Sequence, residues 1–104
     1  MPRFTVRPLA WREINAQLDY LEEQAGLETA ERFLDQLIGS FEDLARMPKI
    51  GFLCGFRKPT TRRLRRWAVK GFDNWLIFYQ ARHEGVEIVH VMHGARDIES
   101  LLGG

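Results

Sequence analysis

Four arginines stand at Arg62, Arg63, Arg65 and Arg66, directly before Trp67, and no acid occurs anywhere between Arg46 and Lys70. Guanidinium groups packed this closely repel one another and cannot all find local acids, so the stretch presents a positive face that attracts anionic partners. Further on, His93 lies three residues before Arg96. A histidine can act as acid or base near neutral pH, although at a strand end it more often holds the turn by hydrogen bonding. His90 and His93, three apart on a strand, are expected on opposite sides. No cysteine or carboxylate completes a metal-ligand set with them, so neither a metal nor a cofactor is expected. Cys54 has no histidine at a telling position and reads as a loop or packing residue.

Basic residues on a strand can simply keep a sheet edge from aggregating. Four arginines beside a tryptophan exceed what edge protection needs, and arginine and tryptophan dominate interface energetics. The patch therefore reads as an interaction surface. Trp11 and Tyr20 are expected in the core or in helix-hairpin packing rather than in a site.

The stretch Leu64 to Tyr79 is expected to present this surface as two strands joined through Gly71-Phe72-Asp73. The second of them, Trp75 to Tyr79, is apolar at every position, which suits a central strand covered on both faces. Before them, Arg3 to Arg7 alternates as a short strand and Pro8 suits a first helical position. Trp11, Ile14, Leu18 and Leu21 then recur at helical steps as far as a Gly26 cap. Thr29 is the expected N-cap of a second helix, whose apolar stripe runs through Ala30, Phe33, Leu34, Leu37, Ile38, Phe41, Leu44 and Ala45 until Pro48 stops it. About three residues would join the two helices in an antiparallel hairpin. Lys49 to Thr61 reads as loop. After a His83-Glu84-Gly85 turn, Val86 to Met92 forms a strand with Ile88, His90 and Met92 on one side and Glu87, Val89 and Val91 on the other. Ile98 to Leu102 is at most a helical turn. The fold class is α+β: an N-terminal strand, an antiparallel helix hairpin and a three-stranded antiparallel meander, with the helices on one face of a small sheet. Either the final turn or a partner must cover the other face.

The 104 residues suit one domain, and 45% hydrophobic with 28% charged residues is the balance of a soluble globular protein. No apolar run approaches the roughly 20 residues that span a bilayer. The N-terminus lacks the apolar core and cleavage site of a signal peptide, and one cysteine excludes an internal disulfide. These features favour the cytoplasm. The net charge of +1 hides a segregation: nine of fourteen acids lie between Glu13 and Asp43, and nine of fifteen basic residues between Arg46 and Lys70.

Four stretches, in this order and spacing, resemble the ParE/RelE superfamily of toxins, and its ParE branch in particular. They are Leu44-Ala45-Arg46-Met47-Pro48-Lys49-Ile50-Gly51, Leu64-Arg65-Arg66-Trp67-Ala68-Val69-Lys70-Gly71-Phe72, Asn74-Trp75-Leu76-Ile77-Phe78-Tyr79 and Val91-Met92-His93-Gly94-Ala95-Arg96-Asp97. The resemblance spans essentially the whole chain. It implies a compact toxin that is neutralised by a small ParD-like antitoxin in a hetero-oligomer and that acts on DNA gyrase to block replication. Contacts to operator DNA would come from the antitoxin. RelE-type members instead cut messenger RNA on the ribosome.

Ribonuclease chemistry needs a base, cations for the phosphorane charge and an acid for the leaving oxygen. Compared with the RelE-type pattern, Arg65 or Arg66 stands for the basic residues of the first middle strand. Trp75, or Leu76 if the alignment slips by one, replaces the arginine of the second. Arg96 matches the C-terminal arginine, but no tyrosine follows it through Gly104. The histidine–tyrosine ending of other relatives is absent too, because Gly94 follows His93. The chain is therefore expected to be a non-enzymatic gyrase inhibitor with no catalytic residues. Its partner-binding residues would be Arg62, Arg63, Arg65, Arg66, Trp67, Trp75, His93 and Arg96. The alternative is a ribosome-dependent mRNA endoribonuclease using Arg65, Arg66, His93 and Arg96.

Overall fold

The computed structural model describes residues 3–103. In chain order it contains β1 (Arg3–Val6), α1 (Pro8–Ala25), α2 (Leu27–Arg46), β2 (Phe52–Leu53), β3 (Arg65–Val69), β4 (Phe72–Arg82) and β5 (Gly85–His93), then one wide helical turn at Glu99–Gly103. The strands form one sheet in the order β1-β5-β4-β3-β2. β1 runs parallel to β5 and the other pairs are antiparallel. The α+β class and the helix hairpin are as expected. The sheet gains a fifth, two-residue strand within the stretch read as loop.

Pro8 opens α1, where its missing N–H has no intrahelical partner to lose. Gly26 closes α1, its N–H bonded to the Glu22 carbonyl at 3.0 Å, and at φ +92° it adopts backbone that L side chains avoid. The same residue opens α2, which has no side-chain cap. Thr29 is therefore not the N-cap, and one residue rather than three joins the helices. A positive-φ glycine reverses the chain within a single residue, and Glu28 in the first turn of α2 meets the partial positive charge of the helix start.

Both helices lie on one face of the sheet. Ile14, Leu21, Phe33, Leu37, Phe41 and Leu44 pack with Val69, Ile77, Tyr79, Val86, Ile88 and Val91. Each such large apolar side chain, once fully buried, contributes about 1.5–3 kcal/mol. The opposite face carries a smaller cluster of Leu64, Phe78, Val89, Met92 and Leu102, flanked by Cys54, Phe56, Leu76 and Ile98. The Glu99–Gly103 turn and the strand-to-strand loop thus cover it, which resolves the choice left open by the apolar β4.

Two further expectations fail. Tyr79 pairs with Ile88 but Phe78 with His90, so Val89 is an extra residue in β5. This bulge breaks the strict alternation: Ile88 and Val91 both join the helix-side core, while Val89 and Met92 both join the other. The bulge coincides with the point where β1 ends. There Glu13 of α1 takes over the open edge of β5, accepting the Val91 N–H at 3.1 Å and lying 3.0 Å from His90 Nδ1. Trp11 and Tyr20 sit in neither the core nor the helix packing: they are 41% and 54% exposed, because the α1 stripe that meets the sheet and α2 runs through Ala10, Ile14 and Leu21 instead.

Candidate interaction surface

Two hydrogen-bonded groups fix the path of the chain after α2. Gly51 N–H donates to the buried Tyr79 hydroxyl at 2.8 Å, and the Gly51 carbonyl accepts from Arg65 Nη1 at 2.8 Å. The same guanidinium lies 3.3 Å from the Lys49 carbonyl. A Cβ at position 51 would fall 2.5 Å from Tyr79 Oη and 2.9 Å from the Arg66 carbonyl, so only glycine allows this approach. Burial holds the Tyr79 hydroxyl above the usual phenol range, partly offset by the Gly51 hydrogen bond and by Arg65.

Pinned in this way, the chain enters β2 with Phe52 and Leu53 paired to Arg66 and Arg65. Their side chains are 68% and 60% exposed. The Phe52 ring lies 6.3 Å from Trp67, which is itself half-buried. Cys54 turns toward the smaller apolar cluster, where burial raises its thiol above the usual range and nearby Arg66 pulls it part of the way back. It packs rather than reacts. A turn then carries Arg62 and Arg63 into solvent, with Arg62 N–H bonded to the Lys58 carbonyl at 2.8 Å. Thr61 Oγ1 donates to the Leu102 carbonyl at 2.7 Å and ties this turn to the Glu99–Gly103 turn.

Ion pairs among the described residues engage Arg7, Arg46 and Arg82, together with the His90–Glu13 contact. Arg57, Lys58, Arg62, Arg63, Arg66 and Lys70 make none there and are exposed. An open groove of about 680 Å³ runs along β3 between Phe52, Arg66, Trp67, Ala68 and Lys70 on the sheet and Ser40 and Asp43 of α2. Asp43 is paired with Arg46 at 2.9 Å.

The expected site residues divide into separate groups. Arg66 and Trp67 line the groove at the β2–β3 edge, whereas Arg62 and Arg63 are exposed on the turn before β3, outside the groove lining. Arg65, on the opposite face of β3 from Arg66, is committed to backbone carbonyls of the preceding loop. Trp75 and His93 pair with each other at the far end of β4. Trp75 Nε1 donates to Gln17 of α1 at 2.9 Å, and its ring meets Phe33 and Phe72 edge-on. His93 stands edge-on to Trp75 at 4.7 Å, and its Nδ1 accepts the Ala95 N–H at 3.0 Å. That accepted bond places the ring proton on Nε2. His93 therefore holds the turn, with Arg96 exposed just beyond it. Arg65 pairs with Tyr79 and His93 with Trp75. Four positions along β4 amount to about 13 Å, and two strand spacings add roughly 9.6 Å across the sheet. Among the described residues no cluster of three potential metal ligands occurs, and no helix is long and apolar enough to cross a membrane.

Sequence reasoning missed Phe52 and Leu53 on this edge, and Glu13 and Gln17 as the α1 residues that hold β5 and Trp75. A two-residue apolar run after a glycine is too short for any periodicity. Glu13 and Gln17 look like ordinary polar helix positions until the sheet is placed beneath them.

The family model described as ParE toxin of type II toxin-antitoxin system, parDE, matches residues 4–98. The curated protein Toxin ParE1 of Mycobacterium tuberculosis, in two strains, is 26% identical over 98 residues that cover 93% of this chain and 94% of the relative. A chain of the solved structure described as the chromosomal ParDE TA system from P. aeruginosa shares the fold, with a TM-score of 0.71 and 13% identity over 89% of this chain and 96% of its own.

Proposed function

The chain belongs to the ParE toxin family of type II toxin–antitoxin systems, and from that premise we propose that it inhibits DNA gyrase, cuts no nucleic acid itself, and is held inactive by a ParD-like antitoxin. The observation that carries this reading is the dispersal of the groups a ribonuclease would need. Arg65 is occupied by loop carbonyls, and the Nδ1 of His93 is occupied by the Ala95 amide. The two are set four positions apart along β4 and two strands apart across the sheet, too far apart to serve one scissile phosphate. Concerted acid–base catalysis needs donors and acceptors within about 3 Å of the reacting atoms.

What the chain offers instead is a surface: unpaired cations around exposed Phe52 and half-buried Trp67, next to an open groove. Aromatic and arginine side chains that a partner can desolvate give most of the energy of a protein interface. An acidic antitoxin segment would neutralise the cations and cover the apolar edge, keeping the toxin from its target in the cytoplasm. Contacts to operator DNA would then fall to the antitoxin.

The test is supercoiling of relaxed plasmid by purified gyrase, with and without the chain freed from its antitoxin. Inhibition, with cleaved DNA trapped, is the expected result. Unimpaired supercoiling at large excess, combined with protein synthesis failing before DNA synthesis in pulse-labelled cells, would replace this reading with the ribosomal endoribonuclease.

A further inference from the structure

The unpaired cations between Arg57 and Lys70 have two kinds of surroundings. Arg66 and Lys70 line the groove with exposed Phe52 and half-buried Trp67. Arg57, Lys58, Arg62 and Arg63 stand outside it, on the segment that joins β2 to β3. One helical turn gathers these four. The Lys58 carbonyl accepts the Thr61 N–H at 3.0 Å and the Arg62 N–H at 2.8 Å. Pro59, whose fixed φ suits a first helical position, follows Lys58 directly. Residues four apart on such a turn share a side, so the Cβ atoms of Lys58 and Arg62 come within about 5–6 Å.

Three bonds hold the turn in place. At its base Cys54 N–H donates to the Leu64 carbonyl at 3.1 Å. Arg57 N–H donates to the Gly103 carbonyl at 3.5 Å, and Thr61 Oγ1 to the Leu102 carbonyl at 2.7 Å. The backbone that carries the cations is therefore set before any partner arrives, which lowers the ordering cost of binding. The Glu99–Gly103 turn brings one acid with it: a Cβ at Gly103 would fall 2.6 Å from Glu99 Oε1. That carboxylate pairs with none of the four cations among the described residues. One acid against four cations leaves the surface positive.

What this surface lacks selects its partner. Between Cys54 and Arg66 no large apolar side chain is exposed: Leu64 is buried, and the Phe56 ring packs 6.5 Å from Phe78. Leu101, on the tied turn, is exposed singly, which is ordinary for a surface. A protein interface has an apolar core within its polar rim. Cations without such a core suit a phosphate polyanion, which binds by charge neutralisation and counterion release. Each strand of a duplex offers a phosphate every ~3.4 Å of axis, so neighbouring phosphates can meet cations spaced as Lys58 and Arg62 are.

We propose that the Arg57–Arg63 turn binds the phosphate backbone of duplex DNA and seats the toxin on the DNA that gyrase holds. This deepens the proposed function and rests on its gyrase reading for the choice of duplex DNA. Phosphate contacts position a protein without reading bases, so recognition of the operator stays with the antitoxin.

The experiment is fluorescence anisotropy of a labelled mixed-sequence duplex, titrated with the full chain freed from its antitoxin and without gyrase. The logarithm of affinity is expected to fall against the logarithm of salt with a slope of about −3 to −4, as four neutralised phosphates require. Arg62→Gln combined with Arg63→Gln is expected to weaken binding at least tenfold at low salt and to make the slope shallower by about 2. Its thermal unfolding should match that of the unaltered chain, because neither side chain forms an ion pair among the described residues. Arg3→Gln combined with Arg12→Gln removes the same charge from β1 and α1, and should weaken binding less than threefold. Equal losses in the two double variants overturn the assignment to this turn. A slope near zero, or tighter binding of single-stranded RNA or polyglutamate than of the duplex, overturns the choice of partner. Gyrase inhibition by a chain that leaves the duplex unbound overturns the surface and keeps the gyrase reading. Duplex binding with the expected slope but without inhibition keeps the phosphate surface and removes that reading.

Discussion

Arg65 and Arg66 are neighbours in sequence and belong to opposite regions of the molecule. Arg65 lies on the locked side, where its guanidinium holds Gly51 and Lys49 carbonyls and its backbone pairs with Tyr79. Arg66 lies on the open side, exposed, beside Phe52 and the groove. Trp75 and Trp67, both half-buried against the helix-side core, differ in what else holds them. The first is bonded to Gln17 and wedged among Phe33, Phe72 and His93. The second borders the groove and partners Phe52. Residue type alone cannot separate a structural arginine or tryptophan from an interface one. What separates them is whether their hydrogen-bonding and stacking capacity is already used within the chain.

The sharpest way to break the contrast is to empty the locked end. Trp75→Ala is expected to destabilise the fold by about 2–4 kcal/mol, toward the low side of core aromatic deletions because the ring is only half-buried. Thermal unfolding would read this. A loss below about 1 kcal/mol would return Trp75 to the interface group.

Below that in size come two carboxylate and guanidinium tests. Glu87 accepts hydrogen bonds from Arg7, Gln80 and Arg82, which lower its pKa from 4.5 to about 2, Arg7 contributing most. A carboxylate with a depressed folded pKa stabilises the protein above its unfolded pKa and loses that contribution as pH falls through the folded value. Stability should therefore decline between about pH 4.5 and 2. Glu87→Gln should flatten this decline by on the order of 1–2 kcal/mol, after allowing for solvent screening of the partly exposed guanidinium groups. An unchanged pH profile in the variant would remove Glu87 from the acid response.

The pair Arg65→Ala and Arg66→Glu compares the two regions most directly. The first leaves loop carbonyls without their charged donor and is expected to cost about 1–2 kcal/mol. The second should change stability by less than about 0.5 kcal/mol, as surface substitutions do, while lowering antitoxin affinity at least several-fold in a binding titration. Equal stability losses, or an Arg66 variant with unaltered affinity, would erase the distinction between the locked and open sides.

The helices, the order of the elements, the segregation of charge and the family resemblance were all legible before any coordinates. A helical stripe such as Ala30-Phe33-Leu37-Phe41-Leu44 is a local record of one buried face, readable from spacing alone. The cation-rich turn is equally local. Only tertiary structure decided which arginine is committed and which tryptophan is held by a hydrogen bond from its indole. It also placed β2 and the bulge at Val89. These depend on pairings between remote segments, as with Glu13 and His90, 77 positions apart. Local period fixes which residues share a face. It does not fix strand register or which distant group consumes a side chain's hydrogen bonds, because those follow from how the sheet and the helices meet in three dimensions.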